Sequence, residues 1–123
     1  VLESAHKSAQ DSDSDGFQYG KKAYDLLWKL VTGYWQALAD GKGDQVAKSS
    51  IGHNAYAQNE GEGLSPEGRR RRTFFHHGRH VLMEKHLKIG VKDSAAATLR
   101  IHFELVSDER RIVIGHCGKH LDF

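Results

Sequence analysis

A chain of 123 residues can bury one hydrophobic core and is too short for two. No apolar run approaches the roughly 18 residues of a membrane span, so no membrane partner is expected. A single cysteine, Cys117, excludes an internal disulfide and favours a reducing, cytoplasmic compartment.

The net charge of +2 hides a polarity. Residues 1–63 carry six Lys/Arg against nine Asp/Glu, a net of −3, which leaves +5 on residues 64–123. Such asymmetry is expected where one half of a chain meets an anion. The chain opens at Val1 without a signal-peptide pattern, and we expect it to be the C-terminal module of a longer protein.

Val1–Gln10 reads as the tail of a helix, broken by the polar stretch Asp11–Gly16. From Phe17 to about Ala39, the residues Phe17, Ala23, Tyr24, Leu27, Leu30, Val31, Tyr34, Trp35 and Leu38 recur at helical spacing. They predict a helix with a core-facing aromatic stripe, ended by Gly41 and Gly43. Asp44–Ser50 predicts a shorter helix capped by Asp44 and ended near Gly52. Ile51–Tyr56 continues as a turn or an extended piece. Asn59–Gly68 is rich in Gly and Glu, holds the only proline, and runs into Arg69, Arg70, Arg71 and Arg72. With little to bury, residues 59–72 are expected to form a mobile loop that orders over a ligand.

The remainder reads as strands. Thr73–His76 and Arg79–Met83 flank His77-Gly78, a plausible tight turn, and His86–Ile89 is a third strand. After an Asp93–Ala97 connector, Thr98–Val106 and Arg110–His116 form a second hairpin around Ser107-Asp108-Glu109. The expected fold is α+β in a single domain: N-terminal helices (about 1–58) packed on a small, mostly antiparallel C-terminal sheet (73–123).

Strand alternation sets Leu87, Ile89, Leu99, Ile101, Phe103 and Leu105 on one face, and His86, Lys88, Arg100, His102 and Glu104 on the other. If the aliphatic face meets the helices, the polar face is left open. Two imidazoles able to exchange protons near neutral pH, beside two fixed cations, suit metal-free cleavage of a phosphodiester. His86 and His102 would be base and acid in either order, with Lys88 and Arg100 stabilising the phosphorane. His116, Lys119 and His120 would complete the wall around RNA, with Arg69, Arg70, Arg71, Arg72 and Arg79 as substrate contacts. The other reading of this basic face is a non-catalytic module that binds nucleic acid or an acidic partner.

No cofactor is called for. His116, Cys117 and His120 offer N and S ligands, but a structural zinc site wants a second ligand pair that the chain lacks. Basic neighbours of Cys117 could lower its pKa, although a thiol nucleophile also needs an oriented base. His76, His77, His80 and Arg79 cluster around the first hairpin turn as potential RNA contacts.

The segments Leu87-Lys88-Ile89-Gly90, Leu99-Arg100-Ile101-His102-Phe103, Asp108-Glu109-Arg110-Arg111 and Ile112-Val113-Ile114-Gly115-His116 resemble the closing strands of RelE/HigB-type toxins of bacterial toxin–antitoxin systems. The resemblance spans residues 86–123. It implies a mixed helix–sheet fold, cleavage of ribosome-associated mRNA without metal, and an antitoxin-like acidic inhibitor. The roles it carries over fall on Lys88, Arg100, His102, His116 and Lys119.

Overall fold

The computed structural model describes residues 1–52, 55–57, 63–90, 96–106 and 108–122. The Asn59–Glu62 start of the expected loop, connector residues 93–95 and Ser107 lie outside them. The order is α1 (Glu3–Ser14), α2 (Gly20–Lys29), a π-helical turn (Leu30–Tyr34), α3 (Trp35–Ala39), α4 (Asp44–Ser49), β1 (Tyr56–Ala57) and α5 (Pro66–Arg71). Five strands follow: β2 (Thr73–His76), β3 (Arg79–Leu82), β4 (His86–Ile89), β5 (Leu99–Val106) and β6 (Arg111–Gly118). The α+β expectation holds.

β1, β4, β5 and β6 form an antiparallel sheet in that order, and β2–β3 stand as a separate hairpin. Leu87, Ile89, Leu99, Ile101, Phe103 and Ile114 meet Leu26, Leu30, Tyr34, Ala37 and Ile51 in the main core. Tyr34 packs edge-on against Phe103, centroids 5.6 Å apart. This is the aliphatic face assigned by alternation, set against the helices as expected.

Several boundaries are corrected. α1 runs through Asp11–Ser14 and stops only where Gly16 takes a left-handed φ of 83°. The aromatic stripe is not all core: Tyr24 and Val31 are 64% and 51% exposed, as is Trp28 at 59%. The buried row is instead Ala23, Leu26, Leu30, Tyr34 and Ala37. Between them the helix widens into the π turn. There the Thr32 hydroxyl donates to the Trp28 carbonyl (2.7 Å), competing with the regular ladder, and Gly33 leaves room for Ser50. The N-cap of α4 is Gly43, not Asp44.

The largest correction concerns residues 66–72, which are a helix ending in a buried arginine rather than a loop. Ser65 caps α5 by accepting from Gly68 N (3.0 Å), Pro66 fills the first turn, and Glu67 pairs with Arg70. Arg72 is fully buried.

The chain's two ends meet. α1 lies along β6, which among the described residues has no strand on its outer side: Leu2 N donates to Ile114 O (2.9 Å), and Cys117 N donates to Ser8 Oγ (2.9 Å). A helix thereby occupies backbone groups that an open edge would offer to another chain.

Candidate functional site

The second face of the sheet is not open. The β2–β3 hairpin, Met83 and the Arg72 side chain cover it, with Phe74, Val81, Met83, Val106, Val113 and Leu2 forming a second apolar cluster. His86, Arg100, His102 and His116 are all under 9% exposed. The expectation of an open catalytic face fails because alternation fixes which side chains share a face but not what later packs over it.

His86, His102 and His116 stand in one row across β4, β5 and β6, as register partners. The first two rings stack at 4.8 Å, and the third meets His102 edge-on at 5.8 Å. Each donates to a main-chain carbonyl: His86 Nδ1 to Glu84 (2.8 Å), His102 Nδ1 to Met83 (2.9 Å) and His116 Nε2 to Lys119 (2.8 Å). Those bonds fix the tautomers. Burial, with His86 alongside, pushes the His102 imidazole down to about 2, and burial also lowers His116. Both are neutral side chains at physiological pH.

A β-bulge makes this row possible. His102 pairs with His116 and Phe103 with Ile114, so Gly115 is the extra residue. Strict alternation would have turned His116 to the Ile112–Ile114 side; the bulge returns it to the histidine row. A Cβ on Gly115 would lie 2.5 Å from the Phe74 ring and 2.8 Å from Met83 Sδ, so only glycine admits the hairpin here.

Arg100 is not poised for a phosphate. Its guanidinium donates to the carbonyls of Ile89 (2.9 Å), Leu99 (3.0 Å) and Gly90 (3.2 Å). Arg72 likewise donates to Gly68 (2.9 Å), Leu121 (2.7 Å) and Asp122 (2.8 Å), tying the C-terminal tail over the sheet. Lys88 and His120 are half-buried. Cys117 faces the helix side, opposite His116, and burial raises its thiol pKa. That removes the nucleophile reading and separates the N and S ligands considered together above.

His116 and Lys119 do border open space. Between α1 and the end of β6 lies a cleft of about 320 Å³, lined also by Asp11, Asp15, Ser8 and Ser12.

The exposed cations are elsewhere. The side chains of Arg69, Arg70 and Arg71 are 59%, 76% and 37% exposed, near Glu84 and Glu67. Thr73 Oγ1 donates to Arg69 O (2.7 Å), joining α5 to the hairpin. On the hairpin's outer face Phe75, 63% exposed, pairs edge-on with His80 at 5.3 Å. Beside them runs a groove of about 410 Å³ between β3 and β5, bordered by Arg79, His80, Leu82 and Glu104. Arg79 pairs with Asp108 (2.7 Å) and holds that carboxyl below its usual range.

Among the described residues, one group of His, Cys, Asp or Glu side chains could hold a metal: His76, His77 and Glu109. The sequence reading placed the two histidines in a turn cluster and missed Glu109, which arrives from the β5–β6 turn.

No helix among the described residues is long and apolar enough to cross a membrane. The chain matches no protein-family model, no curated protein and no solved structure.

Proposed function

We propose that this chain is a non-catalytic module that binds single-stranded RNA on the outer face of the β2–β3 hairpin and α5. The observation that carries the reading is Phe75, a large exposed aromatic on β2, the strand that follows directly on the three exposed arginines of α5 and is joined to that helix by the Thr73–Arg69 bond. An unstacked base can lie on such a ring while guanidinium groups meet its phosphates, and neither contact requires a particular sequence. The groove along β3 gives an extended strand a path past Arg79 and His80, and its two carboxylates, Asp108 and Glu104, are already paired with Arg79 and Lys85. An acidic inhibitor would compete for the same arginines, and the reduced state of Cys117 that a cytoplasm maintains belongs to this reading.

The test is fluorescence anisotropy of a labelled unstructured RNA across a salt series. Wild type should bind with a clear salt dependence. Replacing Arg69, Arg70 and Arg71 by Gln should flatten the log–log slope by about 2, since each neutralised phosphate contributes roughly 0.7 on a single strand. Phe75→Ala should weaken binding about tenfold with the slope unchanged, because stacking is worth roughly 1–3 kcal/mol per base. Equal affinity in all three proteins would sink the proposal.

A second reading rests on the cleft beside α1. There His116 and Lys119, from the set expected to cleave RNA, line the same space as Asp11 and Asp15. An endoribonuclease of the RelE/HigB kind would use His116 for proton transfer and Lys119 for charge. Two aspartates facing a phosphodiester oppose its binding, which is why this reading ranks second. RNA cleaved in excess EDTA to 2′,3′-cyclic phosphate ends, and left intact by His116→Ala, would promote it.

A further inference from the structure

His76, at the end of β2, and Glu109, in the turn between β5 and β6, come from hairpins 33 residues apart in sequence. His76 Nε2 lies 3.0 and 3.1 Å from the two Glu109 oxygens, and His77 Nδ1 lies 3.2 Å from Oε2. All three ligand atoms fall within 4.8 Å of one another. The imidazoles stack at 3.9 Å with 20° between planes, so both present their edges to the same carboxylate. Successive side chains on a regular strand would point apart. Here they converge because His77 has left the strand conformation, with φ of 47°.

That backbone state is what the geometry of the cluster rests on. Asn and Gly are the ordinary residues of a turn with two positive φ values, and a β-carbon makes the left-handed region costly. Among the described residues only two non-glycine positions adopt it, His77 and Arg110. One is a member of the cluster and the other follows Glu109 directly. The left-handed turn at His77 is what sets both imidazoles on the side where Glu109 meets them.

We propose that His76, His77 and Glu109 bind a single Zn²⁺ ion that clasps the β2–β3 hairpin to the β5–β6 turn. Tetrahedral zinc with bonds of about 2.0–2.1 Å sets its ligand atoms about 3.3 Å apart, close to the observed His–Glu separations. Two imidazoles and a carboxylate select a borderline transition metal over Mg²⁺ or Ca²⁺, which prefer all-oxygen shells. Ligation uses the Nε2 lone pair of His76 and the Nδ1 lone pair of His77, so each ring's proton moves to its other nitrogen. Glu109 supplies one negative charge, while the neighbouring Asp108 is engaged by Arg79. Three protein ligands leave a fourth position for water or an anion, on the partly exposed side where the His77 side chain is 66% accessible.

The test is calorimetric titration of the full chain, freed of metal by chelation, with ZnCl₂ at neutral pH. Co²⁺ absorption reports geometry. Wild type should take one equivalent with a Kd of about 1 µM or tighter and show the intense visible bands of four-coordinate Co²⁺. His77→Asn should lose at least tenfold in affinity while folding as well as wild type, since Asn suits the left-handed turn. Glu109→Gln should lose a similar factor, whereas His120→Ala should bind like wild type. Unchanged affinity in His77→Asn and Glu109→Gln, or weak binding spread over many sites in wild type, would overturn the site.

Discussion

His86 and His102 are register partners on adjacent strands whose imidazoles stack 4.8 Å apart inside the protein. Two rings in such contact cannot both become cations without strong repulsion, and burial already holds His102 down to about 2. An unfolded chain protonates the same imidazole near 6.5. Between those values the unfolded state therefore binds more protons, and stability rises with pH. His116, lowered in the same sense, adds to the slope. Acidification should cost up to about 1.4 kcal/mol per pH unit per histidine below pH 6.5. Urea melts should show constant stability above neutrality and a drop of about 2 kcal/mol or more by pH 5. His102→Gln should reduce that slope by about one proton. Identical midpoints at pH 7.5 and pH 5 would contradict the account.

The four arginines of the Arg69–Arg72 run should differ sharply in their weight. Arg72 is buried with donors committed to three carbonyls, so Arg72→Met leaves those acceptors without their donor and frees the C-terminal tail. A loss of about 3 kcal/mol is expected. Arg70 is held by Glu67 on the surface, where solvent screens the pair, and Arg70→Gln should leave stability nearly unchanged. Chemical denaturation of the two variants separates them, and comparable losses would refute the assignment.

At the bulge, Gly115→Ala should push a methyl into Phe74 and Met83 and destabilise by about 1–3 kcal/mol. Phe74→Ala removes the main obstruction at a cost of its own. The double variant should then be more stable than the sum of the two single losses implies, by about 1 kcal/mol. Strict additivity, read from the same denaturation curves, would mean that the glycine serves the strand's own backbone and not the approach of the hairpin.

The strands were legible from the sequence because their alternation is strong: β4 and both hairpins fall within a residue or two of expectation. α5 was legible too, through Ser65 as cap and Pro66 in the first turn, yet the glycine and glutamate content around it outweighed that signal. β1, two residues long, carries no periodicity to detect. What covers the histidine row depends on contacts from residues far along the chain, such as Arg72 with Leu121 and Asp122, and no local pattern encodes them. The Gly115 bulge was the one nearby clue that His116 would join His102, since it shifts the phase of the strand.

The docking of α1 along β6 has a kinetic side. Ser4 Oγ donates to the Gly115 carbonyl across 111 residues of sequence, and the Leu2–Ile114 bond spans a comparable loop. Closing so long a loop is entropically unfavourable until the intervening sheet and helices have shortened it. The sheet should therefore form with its last strand uncovered, and the first helix should settle afterwards. Folding should be slow for so small a protein, and during that interval β6 is open to pairing with other chains.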